Sequence, residues 1–403
     1  MMMATEEWRA CKLDELGFVG RGKSKHRPRN DQSLYGGQYP FFQTGDIKAA
    51  NLHLTQYSQT YNDKGLAQSK IWKPGTLCIT IAANIAETAI LGIPGCFPDS
   101  VVGFVPDLDK ADVAFIKYYI DTIKLQMQSV SRGTTQDNLS VDKLLTFDFR
   151  VPPLPVQRRI AGILSAYDEL IENNQRRIKI LEEMARSLYR EWFVHFRFPG
   201  HDKVKMVPSL LGPIPQGWEV KPFGELATIT MGLSPKSNTY NEHSDGTPLV
   251  NGPVEFGDRF AKQVKWTTSP TKLCKEGDLL VCVRGSTTGR NVKSDGVYCL
   301  GRGVCSISSE FQGFVDLVFA NELPTLLAQT SGSTFPSWTG PQLKSHPVLS
   351  PPKDVLLRFE ALVGPMGSAV LAHSRQIQNL CHTRDLLLPR LLSGQIILAD
   401  GGA

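Results

Sequence analysis

At 403 residues the chain is longer than one hydrophobic core usually organises, so two domains are expected. Its 41% hydrophobic and 21% charged residues are those of an ordinary soluble globular protein rather than a disordered one. No run of roughly 18 apolar residues and no signal-peptide pattern is present, so a cytoplasmic protein is expected, and the net charge of +5 leans towards an anionic partner.

The first segment to read is also one that returns. Trp8, Leu13, Glu15 and Leu16 recur as Trp218, Phe223, Glu225 and Leu226, a shift of 218 − 8 = 210. Each copy runs on to a Gly-x-Ser, Gly22-Lys23-Ser24 and Gly232-Leu233-Ser234. A repeat of this length is a duplicated domain, since solenoid units span about 20 to 50 residues. The segment Gly17 to Ser24 also fits the Walker A spacing G-x-x-x-x-G-K-[ST]. A phosphate loop needs a buried strand before it and a helix after it. The apolar content of Cys11 to Leu16 is too low for that strand, and Lys25, His26, Arg27 and Pro28 make a poor helix start. The second copy lacks the pattern altogether. Arg21, Lys23, Lys25, Arg27 and Arg29 put five cations into nine residues.

Further along, Leu77 to Ile81 follows the turn Lys73-Pro74-Gly75 and reads as a buried strand. Its counterpart is Leu279 to Val283 after Lys275-Glu276-Gly277. Val113 to Val130 and Phe314 to Leu327 carry helical apolar rhythm. Mixed α+β domains of about 150 residues result. Two polar stretches also correspond, Ser131 to Asn138 and Ser331 to Trp338. The first contains Arg132, Thr134, Gln136 and Asn138, and the second Ser333 and Thr334. Either stretch serves as a binding loop or as a structural turn.

Each half closes on a long helical pattern. Val151-Pro152-Pro153 and Ser350-Pro351-Pro352 precede the two patterns, at a shift of 351 − 152 = 199. In the first, Ile160, Leu164, Tyr167, Ile171, Asn174, Ile178, Leu181, Ala185, Leu188 and Trp192 step by four and three, a sustained a/d seam. Adding 199 gives Phe359, Val363, Met366, Val370, His373, Ile377, Leu380, Arg384, Leu387 and Leu391. About 37 residues of helix make a rod of roughly 55 Å. Kinks are expected at Pro365 and Pro389. Two such seams are expected to pack on each other as an antiparallel coiled coil, with Leu164, Ile171, Asn174, Ile178, Leu181, Val370, His373, Ile377 and Leu380 setting the spacing. Polar Asn174 and His373 would fix register; a place at the edge of the seam is the alternative.

Chemistry is sparse. The eight cysteines form no Cys-x-x-Cys and read as reduced structural thiols, and no metal site is expected. Neither Pro-Pro has the flanking residues of an amino-methylating motif, Pro98-Asp99 has no carboxylate-x-Lys after it, and no Ser/His/Asp set stands out. Basic, flexible loops do stand out in the second half as in the first. Ser234, Lys236 and Asn238 form one, and Arg284, Ser286, Thr287, Arg290 and Lys293 another. Arginine reads guanine bidentately and amides read adenine, so such loops suit DNA. Clusters of aromatics at the helix ends, Tyr189, Trp192 and Phe193, with Leu387 and Leu391 in the second copy, suit partner docking or packing on the adjacent domain.

In this order the motifs resemble the DNA specificity (S) subunits of type I restriction-modification systems. The residues that carry the likeness are Val151 to Ala161, Glu172 to Gln175, Trp192 to Val194, and Arg384 to Gly394. The resemblance implies two pseudo-symmetric target recognition domains, residues 1–152 and 199–350, separated by two long antiparallel coiled-coil helices, 153–198 and 351–403. It implies a non-catalytic subunit that reads a bipartite, asymmetric site in double-stranded DNA. Two methyltransferase subunits and two restriction/translocase subunits would join it, and S-adenosylmethionine, ATP and Mg²⁺ would reside on those partners, with no cofactor in this chain. A coiled-coil scaffold without DNA reading and an ATP-binding enzyme using the Walker-like loop are the alternatives.

Overall fold

The computed structural model describes residues 8–132, 139–330, 336–396 and 398, with backbone alone for 131 and 132. The chain divides into two compact units, Met1–Gln175 with Arg375–Ala403, and Arg176–Ser374. Each unit therefore contains parts of both long helices.

The first unit contains β1 (Arg9–Cys11), β2 (Gly17–Arg21), β3 (Tyr35–Phe41), β4 (His53–Leu54), β5 (Gln59–Tyr61), β6 (Leu77–Thr80), β7 (Thr88–Leu91), β8 (Val101–Pro106), β9 (Phe149–Val151) and the helix α1 (Val113–Arg132). The main sheet has the order β2-β8-β6-β7-β4, antiparallel except for the β4–β7 pair. All four residues of β6 and all four of β7 are buried. That explains their continuous apolar sequence: a strand covered on both faces loses the usual alternation. One face packs against Phe115, Ile116, Ile120 and Met127 of α1. The other meets Phe42, Trp72 and Phe97, with the Trp72 ring lying over Gly20 and Gly103 on adjacent strands.

The second unit contains β10 (Glu219–Pro222), β11 (Thr228–Met231), β12 (Tyr240–Asn241), β13 (Thr247–Val250), β14 (Trp266–Thr267), β15 (Leu279–Cys282), β16 (Asn291–Lys293), β17 (Cys299–Leu300), β18 (Val304–Ser308) and β19 (Pro347–Ser350). Its main sheet, β11-β18-β15-β16, is antiparallel throughout; β12-β14-β13-β17 forms a smaller mixed sheet. A helix α3 (Gln312–Ala328) supplies Phe314, Val315, Val318, Phe319 and Leu326 to the core.

Residue-level interactions repeat between the units. The N-terminal strand pairs with the strand before the Pro-Pro in both, Arg9 with Val151 and Glu219 with Ser350. The Gly22 amide donates to the Val101 carbonyl at 2.9 Å, and that of Gly232 to Val304 at 2.9 Å. A Cβ on Gly22 would stand 2.2 Å from the Pro98 carbonyl oxygen, and one on Gly232 would stand 2.2 Å from that of Gly301. The repeated Gly-x-Ser is thus a close backbone approach that a side chain would force open.

The long helices are α2 (Leu154–Tyr189), extended by a wide π-type turn over Arg190–Val194, and α4 (Lys353–Leu392). The α4 helix is assigned without interruption through Pro365 and Pro389. In the first unit the helices run antiparallel, since Ile160, Ala161 and Leu164 share a core with Leu391 and Leu392 while Asp168 meets Arg384. In the second, Tyr189 and Trp192 pack on Phe359 with ring centroids 6.5 and 5.5 Å apart. Asn174 is buried and His373 half-buried. Gln157 fastens the start of α2: its amide donates to the carbonyls of Lys110 and Pro152 and accepts from the Asp112 amide. In the second unit Glu360 accepts from the first amides of α3, Gly313 at 2.8 Å and Phe314 at 3.2 Å. One 18-residue window of α4 has mean hydropathy 1.5 with 22% of it buried, which by length and composition alone suffices to cross a membrane. Phe359, Val363 and Leu391 of the same helix are core residues of the two units.

Candidate nucleic-acid interface

The strand directions gather the basic loops at one end of each main sheet. In the first unit β2 leaves, β8 enters and β6 leaves at the same end, because Arg21 pairs with Val102 and Thr80 with Val101. The loop after β2 carries Lys23, Lys25, Arg27 and Arg29, all exposed. The loop before β8 presents Asp99, which sequence reading passed over as part of a failed nuclease motif. Its carboxylate is 2.5 Å from Nη2 of Arg29 and 3.5 Å from Nη2 of Arg27, and its carbonyl accepts from Arg21 Nε.

The loop is also tied to itself. Arg27 donates to the Ser24 carbonyl at 2.6 Å, the Tyr35 hydroxyl donates to the Arg29 carbonyl at 2.6 Å, and His26 Nε2 lies 2.7 Å from Asp31. The Ser33 amide, and then His26, hold the Asp31 carboxyl below its ordinary pKa. These bonds restrict the arginines before any ligand arrives. Ser24 departs from the expected contact set: it is buried, with its hydroxyl 3.5 Å from that of Tyr61. From Gly22 to Asp31 the chain forms no helix, so the Walker-like segment is a strand followed by an irregular loop and lacks the helix N-terminus that phosphate binding requires.

The second unit builds the same sheet end with other residues. Here β11 leaves, β18 enters and β15 leaves together, as Met231 pairs with Cys305 and Cys282 with Val304. Lys236 and Asn238 are exposed, and Ser234 accepts from the Arg302 amide at 3.2 Å. Arg302 is exposed in the loop before β18, the place Asp99 takes before β8. Sequence reading missed it because one arginine between glycines gives no motif. Arg284 and Ser286 are exposed and Thr287 half-buried in a loop clasped by the Pro336 carbonyl, which accepts from the Gly285 amide and the Thr288 hydroxyl. Two expected contacts point elsewhere. Arg290 donates to the Phe256 carbonyl at 3.2 Å, and Lys293 pairs with Asp316 at 2.6 Å. The side chain of Arg132, and Thr134, Gln136, Asn138, Ser333 and Thr334, lie outside the described residues.

The docking expectation also needs correction. Tyr189, Trp192 and Phe193 are 8, 6 and 5% exposed, enclosed by Phe314, Phe359 and Trp218. Leu391 is buried in the core of the first unit and Leu387 packs against it. The apolar surface of Tyr189, Trp192, Phe193 and Leu391 is covered inside each unit and so is not open to a partner, while Leu387 is only half-buried. All eight cysteines are free and seven are buried; burial pushes the Cys305 thiol up to about 12. Among the described residues no three His, Cys, Asp or Glu side chains gather in a metal-binding group.

Residues 5–183 match the family described as the type I restriction modification DNA specificity domain. The type I restriction enzyme MjaIX specificity subunit of Methanocaldococcus jannaschii is 23% identical, over 97% of this chain and 94% of its own length. The type I restriction enzyme HindI specificity subunit of Haemophilus influenzae is 21% identical, over 67% of this chain and 74% of its own. The type I restriction-modification S subunit of M. genitalium shares the fold, with a TM-score of 0.67 at 14% identity and 97% of each chain covered. The chain is similar in sequence and fold to the DNA specificity subunits of type I restriction-modification systems.

Proposed function

We propose that this chain reads a bipartite, asymmetric DNA target, one half with the sheet end of each unit, and that α2 and α4 form an antiparallel coiled-coil spacer between two target recognition domains. The observation that carries the reading is the repeated sheet end. The same glycine contact anchors it in both units, yet the loops around it differ, with Asp99 among arginines in one and Arg302 in the other. A common frame with different readers suits two different half-sites. Half-site centres about one DNA turn apart, roughly 10 bp, would let both domains approach one face of the duplex. Two methyltransferase and two translocase/nuclease subunits would complete the assembly in the cytoplasm, with S-adenosylmethionine, ATP and Mg²⁺ held on them.

The test is binding of the chain, with its methyltransferase partner, to duplexes of random sequence followed by sequencing of the retained DNA. Two short conserved blocks at one fixed gap are expected, with affinity that falls steeply as salt rises. Retention of no duplex at any salt would overturn the reading, and micromolar ATP binding lost in Lys23→Ala would replace it with the nucleotide-binding alternative.

A further inference from the structure

Arg384 puts a charge into a seam whose other polar members are Asn174 and His373, and the structure supplies its partner. Asp168 lies on α2 beside the seam residue Tyr167 and is 2% exposed. One carboxylate oxygen is 2.5 Å from Nη1 of Arg384, and the other accepts from the Tyr118 hydroxyl at 2.6 Å. Arg384 turns its remaining nitrogens to Asp385, Nε at 3.0 Å and Nη2 at 2.8 Å. Burial works against the charge on Arg384, but the hydrogen bonds and charges of Asp168 and Asp385 outweigh it and raise its pKa. Burial, then the charge and hydrogen bond of Asp168, raise that of Tyr118, which stays a neutral donor. The group borders a polar cavity of about 300 Å³ that Lys117, Asp121 and Lys124 also line.

Such a group is a poor source of stability. Desolvating a carboxylate and a guanidinium costs several kcal/mol, and apolar replacements of similar volume are commonly as stable or more so. What the pair supplies is discrimination. A slip of α4 by one turn would bring Leu380, Cys381, Leu387 or Leu388 towards Asp168. Each slip would leave the buried carboxylate without its guanidinium, because Lys117 and Lys124 on the same cavity are paired with Asp121 and Glu87, and a buried unpaired charge is the costliest arrangement. The repeat sharpens this. The positions equivalent to the pair are 384 − 199 = 185 and 168 + 199 = 367, which are Ala185 and Gly367. The ion pair therefore occurs once in a duplicated frame, and a pairing of α2 with a second α2 would set Asp168 against Ala185.

We infer that Asp168 and Arg384 are specificity determinants that admit one register of α2 along α4, and through it one gap between the two DNA half-sites. This rests on the bipartite reading proposed above. A one-turn slip is about 5.4 Å, and base pairs rise about 3.4 Å, so an unlocked spacer would tolerate gaps one or two base pairs away from the natural one.

The experiment uses the full chain with its methyltransferase partner and a set of duplexes that differ in gap length alone. Arg384→Met leaves Asp168 buried without its cation and is expected to lower the melting temperature. The informative variant is the triple replacement Tyr118→Phe, Asp168→Leu and Arg384→Met, which removes the polar group whole. It is expected to melt no lower than the parent, to keep modification at the natural gap, and to raise modification at displaced gaps at least tenfold. A triple variant as stable as the parent that modifies the natural gap alone overturns the lock and leaves the bipartite reading standing. A parent protein indifferent to gap length overturns both.

Discussion

Arg29 is paired with Asp99, its Nη2 2.5 Å from the carboxylate oxygen, and Arg27 flanks the same carboxylate at 3.5 Å. A negative charge therefore stands inside the densest cation cluster of the first unit. Exposed pairs of this kind contribute about 0.2 to 1 kcal/mol, so the gain in fold stability is small. The larger effect is on what the arginines present to DNA: Asp99 holds them in place and cancels part of their charge. Asp99→Asn is expected to strengthen binding to unrelated duplex severalfold and to narrow the margin between target and non-target. Arg29→Ala is expected to weaken both and to reduce the slope of log affinity against log salt by about one. Fluorescence anisotropy at several salt concentrations reads both effects. If neither changes in Asp99→Asn, the cluster lies away from the DNA.

Arg302 and Lys293 separate a binding cation from a structural one. Arg302 is exposed at the entry to β18, whereas Lys293 is 2.6 Å from Asp316, which also accepts from Gln312 at 2.7 Å. Arg302→Ala is expected to weaken duplex binding with the melting temperature unchanged. Lys293→Met is expected to lower stability by about 1 kcal/mol, discounted for the part exposure of the pair, with a smaller effect on binding. Thermal melts beside anisotropy distinguish them. The reverse pattern would put Lys293 at the interface and Arg302 outside it.

The aromatic cluster at the end of α2 is a core, and its energetics should show it. Phe359 is fully buried, with Phe193 at 4.7 Å and Trp192 at 5.5 Å between ring centroids. Phe359→Ala is expected to destabilise the second unit by about 3 to 5 kcal/mol, because the cavity is lined by rings with little room to collapse. Scanning calorimetry would show one transition move well ahead of the rest. A melt displaced by less than a degree would reopen the docking role.

The apolar strands and both long helices were legible because each rests on a local, repeated signal. Leu77 to Thr80 and Leu279 to Cys282 needed nothing beyond their own apolar runs between turns. The seam needed only its step of four and three. The interface was less legible, since exposed cations look alike until their neighbours are known. Lys293 and Arg29 read as equals, yet one is pinned by an aspartate 23 residues away and the other by one 70 residues away. The aromatics of α2 misled for a related reason: apolar residues at a helix end fit a partner or a core equally well. Arg384 was legible as a seam position, but its meaning lay in Asp168, 216 residues away.

The spacer reading makes its sharpest prediction at the two places where the helices pass from one compact unit to the other, between Gln175 and Arg176 in α2 and between Ser374 and Arg375 in α4. Inserting four residues in α2 alone, between Arg176 and Leu181, adds a turn but rotates the following seam by about 40°, since each residue advances roughly 100°. That variant is expected to shift the gap or abolish modification. Matched seven-residue insertions at both boundaries keep the heptad phase and leave Asp168 opposite Arg384. They lengthen each helix by about 10.5 Å, equivalent to roughly three base pairs of duplex. Modification is expected to survive with both half-sites unchanged and the gap longer by about three. Sequencing of methylated sites checks this directly, because the half-sites serve as an internal control. Unchanged half-sites at the original gap would mean that something other than the helices sets the distance.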